Sequence, residues 1–244
     1  MMHPVTAILL LMLPILVTGL IAFRLKIGQT GLRLILAFSA GYLFAISIMH
    51  LLPEAFAQGG TKLVGLFIVL GFCLQLLIDT FSTGIEHGHV HLHSHECHTH
   101  LPYGIIIGLL LHSFLEGLPI YDIQAPQNGY INFQLILGLG IHNLPITIAF
   151  VSLLKEHASN SAKNWLLLFL FSVMTPLGYL ASYLLQRFGL QEYEVYSQAA
   201  FALVIGIFLH ISTAILFETS DQHRYNIRKV LVMAGGIILA YLVS

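Results

Sequence analysis

Apolar residues are gathered along the chain into long blocks bounded by short polar clusters, at approximately 4–23, 33–52, 63–83, 102–121, 132–153, 164–186, 197–217 and 229–243. A bilayer core about 30 Å thick is crossed by roughly 20 mainly apolar residues in a helix. The pattern therefore predicts an all-α membrane protein with eight transmembrane helices. The last block is short, and the fourth is interrupted by polar residues. Little chain is left over for a soluble domain, so residues 1–244 read as a single transmembrane domain.

Composition agrees: 57% of residues are hydrophobic and only 9% are charged, against about 25% charged in a soluble domain. A net charge of −1 supplies no basic field for nucleic acid. Cys73 and Cys97 are too few for a disulfide scaffold. The first block has no positive residue before it, no small-residue cleavage pattern after it, and Arg24 and Lys26 directly behind it, so it is expected to be a retained helix. The odd-numbered connections and their edges hold Arg24, Lys26, Arg33, Lys155, Lys163, Arg224, Arg228 and Lys229, while the even ones hold only Lys62 and Arg187. The positive-inside rule then places the odd connections in the cytoplasm and both termini outside. Fourteen histidines stand out against this apolar background.

An ionisable group at mid-membrane costs at least about 2.5–3.5 kcal/mol on insertion scales, so it is kept for a partner or a function. In the fourth block His112 and Glu116 are four apart and lie on one helix face. In the fifth, His142 and Asn143 precede Pro145, which removes a backbone donor and should bend the helix beside Ile141. Two imidazoles and a carboxylate from adjacent helices are the ligand set that suits Zn²⁺, Fe²⁺ or Mn²⁺. Their alternative use is a hydrogen bond that packs two helices. His50 and Glu54 repeat the four-residue spacing beside Pro53, and Gln75 and Asp79 form another such pair. His210 and Glu218 share a face roughly 12 Å apart along their helix. These residues are expected to line an entrance, an exit or a proton route, or else to bond helices together.

The connection over residues 86–100, EHGHVHLHSHECHTH, holds His87, His89, His91, His93, His95, His98 and His100. Such a tract cannot pack a core but binds divalent metals in many near-equivalent ways. It is expected to be a cytoplasmic reservoir or sensor in which Cys97 stays reduced. The run His95-Glu96-Cys97-His98 is not the zinc-protease motif, because its second histidine comes one residue early.

HLLPEA (50–55), HSFLEG (112–117), HNLP (142–145) and TPLG (175–178), in this order and on these helices, resemble the ZIP (Zrt-, Irt-like protein) family of divalent-metal uptake transporters. The likeness extends over almost the whole chain and includes the His-rich loop between helices three and four. It implies eight helices, with an inverted repeat of helices 1–3 and 6–8 around helices 4 and 5, and alternate opening of the site to each side. It also implies that His112, Glu116 and His142 are the primary metal ligands and that Asn143 serves a second metal. Ser113 stands where the family usually has Asn, and Ile146 where it usually has Glu. A single-metal site or a weakened second one is therefore expected.

The resulting expectation is a multi-pass protein of a prokaryotic inner membrane that moves zinc, or iron or manganese, into the cytoplasm as its substrate, with no catalytic cofactor. Its partners are divalent ions and the lipid bilayer, with a homodimer left open. Two rivals remain at this stage. An intramembrane zinc hydrolase would also bury histidines in lipid, with a metal-bound water as nucleophile, but no nucleophile or oxyanion element follows the motif. A metal effluxer of the cation-diffusion type would need a soluble cytoplasmic domain, for which the chain has no room.

Overall fold

The computed structural model describes residues 4–25, 28–58, 60–82, 103–122, 130–131, 133–157, 161–188, 193–217 and 227–243. The apolar blocks become helices α1 (Pro4–Arg24), α2 (Gln29–Ile46), α3 (Leu52–Gln58), α4 (Thr61–Ser82), α5 (Tyr103–Gly117), α6 (Phe133–His157), α7 (Ser161–Arg187), α8 (Tyr193–Phe217) and α9 (Ile227–Val243). Among the described residues, seven helical stretches are long and apolar enough to cross a membrane, with α2 and α3 counted as one rod over Thr30–Ala57. The eighth predicted block forms α9, 17 residues and so about 25 Å long. The protein is an integral, multi-pass membrane protein, and its interior is more polar than its surface. Leu13, Leu66, Val69, Ile107, Leu166 and Leu242 are exposed, whereas Gln75, His112, Glu116, His142 and Asn143 are buried.

Lipid tails are as apolar as leucine, so helices in a membrane associate through close packing and hydrogen bonds rather than hydrophobic collapse. In this bundle α2 lies along α9, α4 along α8, α1 along α6 and α5 along α7, and α2 also crosses α8 and α6. The first two of these pairs are held backbone to backbone at glycines. A Cβ on Gly71 would overlap the Leu203 carbonyl oxygen, and one on Gly206 the Ile68 carbonyl oxygen. Gly41 and Gly236 do the same for α2 and α9. Between the pairs lies an aliphatic and aromatic core that includes Leu11, Ile146, Phe150, Phe171 and Phe208.

Three local features add detail to the sequence reading. The second block does not stop at residue 52. It widens into a π-turn at Ser47–Leu51 and continues as α3. Pro53 has no N–H to offer the carbonyl one α-turn back, and the Leu52 N–H bonds to Ser47 O in the wider π pattern. Conversely, α6 continues without interruption through Pro145, because a proline removes one hydrogen bond and neighbouring helices hold the rest in place. Finally, α5 ends in a 3₁₀ turn at Leu118–Ile120, followed by a short antiparallel ribbon pairing Tyr121 with Ile131 and Asp122 with Tyr130.

Candidate metal site

The four-residue spacing in α5 puts His112 and Glu116 on one face, and packing turns that face inward: neither side chain has any exposure. The sequence around Glu116 makes this possible. Gly117 lets α5 meet α7 at backbone distance, since a Cβ there would overlap the Thr175 carbonyl oxygen. Gly178 on α7 returns the contact against Phe114 O. From α6, the next helix in the chain, His142 enters the same space.

Glu116 Oε1 lies 3.1 Å from His112 Nε2 and 3.5 Å from His142 Nε2. These are hydrogen-bond lengths without hydrogen-bond alignment, and neither Glu116 oxygen has a hydrogen-bond partner among the described residues. Donor atoms on a tetrahedron with bonds of about 2.1 Å stand about 3.4 Å apart, so the two separations match tetrahedron edges. One donor atom from each of His112, Glu116 and His142 lies within 4.8 Å of the others, and this is the one such cluster among the described residues. The two rings meet edge to face, with centroids 5.9 Å apart. A fully buried site with a carboxylate and two ring nitrogens converging on one point is chemically suited to a borderline-soft divalent ion.

Each imidazole is also held at its other nitrogen. His142 Nδ1 lies 3.2 Å from Ser39 Oγ on α2, and His112 Nδ1 lies 3.1 Å from Gln75 Oε1 on α4. Sequence reasoning missed Ser39 altogether, because a lone serine in an apolar helix gives no signal of its own. It did single out Gln75 and Asp79 as a pair, but nothing in their spacing reveals that the pair faces His112.

The remaining expected residues are distributed as follows. Ser113 and Asn143 are buried beside the ligands in the chain, and their side chains have no hydrogen-bond partner among the described residues. Ile146, 1% exposed, belongs to the apolar core. His50 and Glu54 pair with each other at 3.9 Å, apart from the cluster, and are 30% and 25% exposed. Asp79 joins His210, with Oδ2 3.4 Å from Nδ1. Glu218, Cys97 and His87, His89, His91, His93, His95, His98 and His100 lie outside the described residues.

No curated protein matches the chain significantly. The family model described as ZIP zinc transporter matches residues 3–104 and 98–244. Those two stretches together take in nearly the whole chain and every helix of the bundle, so the chain belongs to the ZIP family, whose members are transporters of divalent metals and not enzymes.

Proposed function

We propose that this protein carries Zn²⁺, with Fe²⁺ and Mn²⁺ as alternative cargo, across a cell (inner) membrane into the cytoplasm through His112, Glu116 and His142. One observation carries this reading: the carboxylate oxygen that stands at tetrahedron-edge distances from two ring nitrogens, 3.1 and 3.5 Å, with all three side chains fully buried. In the proposed topology α9 is the eighth span and both termini lie outside. The pairing of α2 with α9 and of α4 with α8 favours an inverted repeat. Exchanging the first three spans with the last three turns one pair into the other, and Gly41 and Gly206 then occupy matching positions.

The ion enters past His50 and Glu54, exchanges its water for the three buried ligands, and leaves toward Asp79, His210, Glu218 and the histidine tract at 86–100. The open coordination positions are filled by water, which suits an ion that must depart again. Ser113 and Asn143 border the site, and with Ile146 in place of a second carboxylate it holds one metal. Purified protein in liposomes tests this reading directly. Metal accumulation dependent on His112 supports it. Cleavage of lipid or peptide without accumulation replaces it with an intramembrane hydrolase, and net flux out of the cytoplasm in cells reverses the direction.

A further inference from the structure

The three ligands leave unexplained a buried polar chain that runs away from them through α4 to α8. Gln75 has no exposure. Its amide nitrogen donates to Asp79 Oδ1 at 3.0 Å, and its amide oxygen stands 3.1 Å from His112 Nδ1. Asp79 is in turn approached by His210, which packs edge-on against Phe72 with ring centroids 4.7 Å apart. The glycine crossing at Gly71 and Gly206, one turn before Gln75, brings α4 and α8 close enough for this.

We propose that Gln75 is a positioning residue of the metal site, biasing His112 toward its metal-binding tautomer, and that Asp79 keeps the Gln75 amide the right way round. The argument runs from Asp79 inward. An ionised carboxylate only accepts hydrogen bonds, so the Gln75 NH₂ faces it and the amide oxygen faces His112. An amide oxygen also only accepts, so it draws the proton of the neutral ring toward Nδ1. Glu116, another acceptor, stands 3.1 Å from Nε2 and draws the proton the other way, so the Gln75 oxygen is what keeps a share of the rings with the bare Nε2 that a metal ligand must have. A flipped amide would set oxygen against carboxylate and NH₂ against the ring, and would favour the tautomer whose Nε2 is protonated and cannot bind a cation. Outer hydrogen bonds of this kind typically contribute 10- to 100-fold in metal affinity. A bond serving only to pack α4 on α5 would leave the choice of tautomer open.

This inference rests on His112 being a metal ligand, and the test separates the two claims. Protein labelled with ¹⁵N-histidine is first read metal-free by NMR, then titrated with Co²⁺, whose visible absorption reports its ligand field. The His112 ring, identified by its loss in His112→Ala, is expected to carry more of its proton at Nδ1 in the wild type than in Gln75→Leu. Gln75→Leu is expected to shift the ring toward the Nε2–H form bonded to Glu116 and to lower Co²⁺ affinity about 10- to 100-fold. Gln75→Met repeats the test should the leucine variant fail to fold. Asp79→Asn still offers an oxygen to the amide and is expected to stay nearer the wild type than Gln75→Leu does. An unchanged tautomer or unchanged affinity in a folded Gln75 variant overturns the positioning role. Failure of the wild type to bind Co²⁺ overturns the ligand assignment itself.

Discussion

His50–Glu54 and His112–Glu116 have the same spacing in the sequence and different fates in the structure. The first pair sits where a π-turn passes into α3, with its groups 3.9 Å apart and 30% and 25% exposed. The second is fully buried at 3.1 Å and meets a third group, His142, from the next helix. The four-residue spacing puts two groups on one helix face, but it specifies neither what the face meets nor how dry it is. Packing decides both. At Glu116 the backbone approach of α5 and α7 through Gly117 and Gly178 closes the site, and in that low-dielectric space a charge interacts far more strongly than in water. The partly exposed pair can attract an ion, whereas the buried trio can hold one.

The sharpest way to break this comparison is to remove one ligand group at a time. His112→Ala or Glu116→Gln is expected to abolish metal uptake in liposomes, a loss beyond the 10- to 100-fold typical of an outer partner. Survival of uptake in either variant would remove the buried trio from the pathway. Ile146→Glu should sharpen the contrast by adding a carboxylate at the buried site. It is expected to tighten metal binding by about tenfold, or about 1.4 kcal/mol, as measured by calorimetry. Lowering the pH from 7 to 5 is expected to reduce uptake severalfold, because protons compete with the ion for imidazole and carboxylate lone pairs. Uptake that rises steadily over that range would contradict the ligand assignment. His50→Ala has the smallest expected effect, a reduction of a few-fold in initial rate at low metal with affinity at the buried site unchanged.

Much of this architecture is readable from the chain. The apolar blocks coincide with α1 and α4 to α9 to within a few residues, because membrane thickness sets helix length directly. His112, Glu116 and His142 are readable as a group because a buried charge in lipid is rare enough to be a signal. The π-turn at Ser47–Leu51 is not, since it depends on how the carbonyls behind Pro53 find other donors. Ser39 is not, since its role exists only once α2 lies beside α6. The glycine crossings are hardest of all: Gly71 and Gly206 are 135 residues apart, and neither has a recognisable motif around it.

The burial of Ile146 in the apolar core, immediately beyond Pro145, has an electrical consequence. Metal binding requires an ionised carboxylate and neutral imidazoles, so the trio alone carries one negative charge when empty and one positive charge when loaded with a divalent ion. A membrane potential acts on a charge at about 2.3 kcal/mol per 100 mV, and here its sign inverts with occupancy. In the proposed import cycle, an inside-negative voltage would draw the filled trio toward the cytoplasm and drive the vacant one back outward, so one carboxylate in place of two would turn the resting potential into a drive for both strokes.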